Sequence, residues 1–166
     1  MRLCSETSRA IAEAPIIAPE ASLTKAPQTI THELALLDCE VELKKFLTAM
    51  EMLREKLGPI LFQFPYFNRV AFSTVEDFLE RLAPFLAGLP RRHRFAVELR
   101  NKNWLGPKLY EILRKHKTAL ALIGHPWMPR PREWIARGDP ITSDFTYIRW
   151  LGDRKGIEEA PRAGTR

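Results

Sequence analysis

The chain has 166 residues, 45% of them hydrophobic, and a net charge of +6. That length suits one ordinary domain with its own core, and falls short of the roughly 250 residues of a closed (β/α)8 barrel. No apolar run approaches the roughly 18 residues that span a bilayer, and no continuous apolar stretch follows Arg2. The expectation is therefore no membrane span, no secretory signal and a cytoplasmic location.

Residues 1–19 are small, proline-containing and weakly patterned, and read as a loosely ordered leader. Residues 159–166 read as a frayed tail, which leaves 20–158 as the domain. Ala21 to Ala26 fits one short strand ended by Pro27. Thr31-His32 then leads toward a helix. Asp38 fits an N-cap, and Val41, Leu43, Phe46, Leu47, Met50, Leu53 and Leu57 form a helical stripe that Gly58-Pro59 stops. Ile60 to Phe64 is a compact apolar strand whose only polar side chain is Gln63. Ser73-Thr74-Val75-Glu76 is a capping box, opening a helix of Phe78, Leu79, Leu82, Phe85 and Leu86 that Pro84 is expected to kink or shorten.

The next segment, Arg94 to Leu105, reads RFAVELRNKNWL. Strand alternation sends Phe95, Val97 and Leu99 to one face and Ala96, Glu98 and Arg100 to the other. A carboxylate and a guanidinium thus share one face at the strand's C-terminal end, ahead of an Asn-rich turn and Trp104. Pro107 opens a helix through Leu109, Tyr110, Leu113 and Lys117. Thr118 to Ile123 is a small apolar strand, and Gly124 to Pro129 a ring-rich loop. Trp134 to Ala136 fits a short helix, and Phe145 to Trp150 the last clear strand.

Strands therefore alternate with helices, and the strands are apolar with little alternation. That pattern predicts right-handed βαβ units and a parallel sheet covered on both faces. In such folds sites are built at the C-terminal ends of the strands.

Laid out this way, four segments carry a resemblance: LGPILFQFPYFN (57–68), FAVELRNKNWL (95–105), HPWMP (125–129) and YIRWLGDRKGIE (147–158). A weaker one is SLTKAPQTITHE (22–33), with a Lys-x-Pro and a Thr-His. Together they resemble the YecE-like family, also called domain of unknown function 72. The resemblance implies a TIM-barrel-like fold of about 250 residues and no established activity. It also implies that this chain is a central fragment, a partial barrel lacking the N-terminal and C-terminal barrel units. Where similar sequences tend to carry Thr-Asp before the histidine, this chain has Ile123-Gly124 before His125, which removes one candidate acid, base or metal ligand.

The candidate catalytic pair is Glu98 and Arg100. Lys25, His32, Gln63, Trp104, His125 and Arg149 are the candidate ligand-binding residues. Parallel neighbouring strands would bring Lys25, Gln63, Glu98, Arg100, His125 and Arg149 to one mouth. A carboxylate flanked by cations can act as a general base or orient a polar substrate. The two guanidiniums suit a phosphate or carboxylate, which each can grip with two hydrogen bonds. The bland alternative is a Glu98–Arg ion pair that only fastens strand ends. The tryptophans can stack on a sugar or base, or simply anchor loops.

No metal is expected, since no H-x-H or HExxH spacing occurs. No cofactor is expected either, with no GxGxxG, Walker or nucleophile-elbow pattern. Cys4 and Cys39 have no metal-ligand spacing and read as reduced thiols. Residues 91–137 hold 12 Lys/Arg against 3 Asp/Glu, and the rest of the chain is net negative. A nucleic-acid-associated role for that basic stretch is the alternative to an unknown small polar or anionic ligand at the mouth.

Overall fold

The computed structural model describes residues 22–136 and 138–150. The leader at 1–19 and the tail at 159–166 lie outside the described residues. Five strands form one parallel sheet in sequence order, β1 (Ser22–Lys25), β2 (Leu57–Gln63), β3 (Phe95–Glu98), β4 (Ala119–Gly124) and β5 (Tyr147–Trp150). Helices α1 (Glu40–Glu51), α2 (Val75–Ala87), α3 (Pro107–Lys115) and α4 (Pro131–Ala136) fill the crossovers, and a single π-helical turn (Thr29–Glu33) follows β1. The sheet curls into a half-barrel with the helices outside, so the partial TIM-barrel-like α/β class expected from the alternation is the one observed.

Two cores follow from the strand period of two. On the helical side, Ile60, Phe62, Phe64, Phe95, Val97, Leu99 and Leu120 pack against Phe78, Leu82, Leu109 and Leu113 of the helices. The inner side is smaller: Leu61, Ala96, Ala119, Ala121 and Phe145, with Tyr147 against them. Three alanines in that set keep the floor of the curled sheet low. Phe145, expected to open the last strand, is part of this inner core, and β5 begins two residues later.

Several element ends differ from the sequence expectation. Helix α1 stops at Glu51 instead of running to Leu57, because Arg54 takes a left-handed backbone (φ 49°). Leu57 already belongs to β2, and Gly58-Pro59 lie within the strand rather than at a helix stop. The prolyl nitrogen has no proton to give a ladder, and it sits where the β1–β2 register slips between Ser22↔Leu57 and Thr24↔Ile60. Asp38 is not the N-cap of α1. It has φ 46°, a conformation that Asp tolerates better than most residues, and Cys39 takes the cap position.

The capping box of α2 is displaced by one residue. Thr74 and Asp77 bond reciprocally, the Thr74 N–H to Asp77 Oδ2 at 2.9 Å and the Asp77 N–H to Thr74 Oγ1 at 3.3 Å. Both frames fit the Ser-Thr-Val-Glu-Asp string, and Glu76 pairs with Lys108 instead. Pro84 does not shorten the helix, which continues to Ala87. It falls in the last turn, where its missing N–H costs a single intrahelical bond.

Candidate functional site

The residue ladder explains how the C-terminal mouth is assembled. Gln63 and Glu98 are directly paired across β2 and β3, and the Phe64 N–H bonds to the Glu98 carbonyl at 2.9 Å. The Glu98 side chain rises from the inner face above Ala96, and it is fully buried. Its Oε1 accepts from Arg100 Nε at 3.1 Å and Nη2 at 3.0 Å. Its Oε2 accepts from Arg149 Nη1 of β5. One buried carboxylate thus holds two guanidiniums, one from the turn after β3 and one from β5. Both remain within reach of solvent, with side chains 30% and 27% exposed.

Tyr147 stands on the inner side with this group. Burial pushes its phenol upward, Arg149 opposes that shift and Glu98 adds to it. It was not among the sequence candidates, although its spacing of two from Arg149 puts both on one face.

Beside the triad lies a cleft of about 550 Å³ lined by Tyr66, Arg100, His125, Trp127 and Met128. These come from the loops after β2, β3 and β4. His125 Nδ1 accepts the Trp127 backbone N–H at 3.2 Å, and the two rings meet edge-on at 5.7 Å. Tyr66 and Met128 were also missed, because loop residues carry no periodic signal. A larger groove of about 670 Å³ opens outside the barrel, between α1 and α2. Its walls are helix flanks such as Leu43, Leu47, Pro84 and Phe85, and the ion triad lies elsewhere.

The other candidates are distributed as follows. Lys25 is exposed at the end of β1, and its charge acts on His32. His32 Nδ1 is 2.8 Å from Thr31 Oγ1, and burial, then Lys25, lower its pKa while Glu33 opposes them. Trp104 is not brought to the mouth. It stacks on the helical side against Phe67 and Phe78 and meets Phe72 edge-on. Asn101 of the Asn-rich turn is buried and bonds both backbone groups of Phe67, at 2.9 and 2.8 Å. No group of three His, Cys, Asp or Glu side chains stands together among the described residues.

The basic stretch spreads over both ends of the sheet. Arg92 pairs with Glu51 at the N-terminal end, Lys108 with Glu76, and Arg114 with Asp139. Among the described residues no helix is long and apolar enough to cross a membrane.

The fold and mouth together define a parallel α/β half-barrel with a charged group at the C-terminal ends of its strands. Residues 22–165 match the family described as protein of unknown function DUF72, and the chain belongs to that family. The crystal structure of a DUF72 family protein from Thermotoga maritima MSB8 is similar, at 30% sequence identity and a TM-score of 0.57. The match covers 82% of this chain and 51% of that one, so this chain spans about half the length of its relative. No curated protein matches it.

Proposed function

We propose that this chain binds a small polar or anionic ligand at the C-terminal mouth, with Arg100 and Arg149 as the gripping groups and Glu98 as the residue that positions them. The observation that carries this reading is the pair of part-exposed guanidiniums anchored on one buried carboxylate. Two positive charges against one negative leave the centre at +1, which favours an anion. Arg100 spends Nε and Nη2 on Glu98, and Arg149 spends Nη1, so each fork has N–H groups left for a ligand. Fixed in advance, these donors lose little freedom on binding.

With both oxygens engaged and no exposed surface, Glu98 acts as an organiser of the arginines, not as a proton acceptor. A cytoplasmic location belongs to the same reading, and the buried free thiol of Cys39 is in keeping with it.

Calorimetric titration of the chain with inorganic phosphate tests the proposal. Binding is expected, and Arg149→Met should weaken it by about tenfold or more, as loss of a charge-assisted contact does. Equal affinity in the wild type and the variant would remove the mouth as the site.

A further inference from the structure

We infer that the ligand is a small organic phosphate with a ring-shaped body, its phosphate on Arg100 and Arg149 and its ring against Trp127 and Tyr66. This inference rests on the mouth being an oxyanion site, and adds the class of molecule that carries the oxyanion. Arg100 is the link, because it both bonds Glu98 and lines the cleft. At about 550 Å³ the cleft has the size of a small-molecule site.

Two large rings stand at its rim in water, Trp127 81% exposed and Tyr66 70% exposed. Both rings line one cleft with Arg100, and exposed aromatic faces beside a charged group suit a binding groove. The nitrogen-bearing side chains of the cleft present donors, and the Tyr66 hydroxyl adds a group that can donate or accept. Arg100 can only donate. His125 accepts at Nδ1 from the Trp127 N–H, so its neutral ring carries the proton on Nε2 and offers a donor there. Among the described residues no carboxylate lines the cleft, and Glu98 beside it has both oxygens occupied.

A lining of donors and ring faces fits a ligand of acceptors and a flat body. Three donor groups, Arg100, Arg149 and His125, match a tetrahedral dianion better than a carboxylate, whose two oxygens a single fork satisfies. The flat body then stacks on the tryptophan or tyrosine face, as sugars and bases do on exposed rings.

The test titrates the full chain with phenyl phosphate, inorganic phosphate and benzoate. Phenyl phosphate should bind about tenfold or more tighter than inorganic phosphate, and tighter than benzoate. Trp127→Ala should bring phenyl phosphate down toward inorganic phosphate and leave the latter unchanged. Tyr66→Ala is the second variant, and the exposure of both rings keeps either change clear of the core. Equal binding of phenyl and inorganic phosphate, or no effect of either substitution, would overturn the ring while leaving the oxyanion site standing. Benzoate binding tighter than phenyl phosphate would overturn the phosphate. No binding of any of the three at millimolar concentration would overturn both this inference and the reading beneath it.

Discussion

Arg149 reaches Glu98 from two strands away, and the residue between them explains how. Extending the register Ala96↔Ala119 and Ala121↔Tyr147 puts Ala121 level with Glu98 on the inner face. A methyl group there leaves the space that the guanidinium crosses. A larger side chain would fill it. The carboxylate is fully buried while its partners keep about a third of their surface, so the three groups are desolvated unequally. Removing one member of a fully buried pair costs about 3–5 kcal/mol, because the survivor is stranded without water. Here the survivors can rehydrate, so the cost is smaller. Glu98→Ala should destabilise the chain by about 2 kcal/mol, and Glu98→Gln by less, since the amide oxygen still accepts one guanidinium. Urea unfolding of the three proteins measures this. A change below about 0.5 kcal/mol for Glu98→Ala would show that the triad holds nothing in place.

At the scale of elements, the loop after β2 and the turn after β3 are fastened by one side chain. Asn101 gives and accepts a hydrogen bond with the Phe67 backbone, inside an aromatic layer of Phe67, Phe72, Phe78 and Trp104. Both loops feed the mouth, one carrying Tyr66 and the other Arg100. Asn101→Ala would strand a buried N–H and a buried carbonyl, at about 1–3 kcal/mol each. The expected loss is roughly 3 kcal/mol in urea unfolding, and Asn101→Asp should recover only the half that needs an acceptor. Equal stability of wild type and Asn101→Ala would mean that water replaces both bonds.

This turn also marks what the sequence conveys. The alternation in RFAVELR is enough to put Glu98 inward and Phe95 and Val97 under the helices, since a strand has only two faces. The partner Arg149 lies 51 residues on, and becomes readable only once the strands are taken as parallel neighbours. Trp104 carries no such cue. It follows the strand in a single 3-10 turn (Lys102–Trp104), and its aromatic neighbours come from a loop and a helix that no short-range pattern connects to it. The end of α1 is hidden for another reason. Leu53 and Leu57 continue the helical period by coincidence, while Leu57 is claimed by the ladder to Ser22.

Over the whole molecule, β1 and β5 each have one neighbouring strand among the described residues, and the outer row of backbone donors and acceptors of each has no strand partner among them. Parallel strands in natural barrels have partners on both sides, and an open edge is a template for another chain. Leu23 on β1 and Ile148 on β5 are exposed hydrophobic residues, with Thr24 and Arg149 as their neighbours in the strand. The 166-residue chain on its own should therefore associate as its concentration rises through the micromolar range. Sedimentation velocity over that range measures the effect. Ile148→Lys sets a charge on the β5 edge, a device by which natural sheets repel a second strand, and should shift the distribution toward monomer. The substitution faces away from the Glu98 group, because Ile148 alternates with Tyr147 and Arg149, so phosphate binding at the mouth should survive it. A wild-type chain that stays monomeric throughout and melts in one cooperative transition would show that these edges are closed in solution.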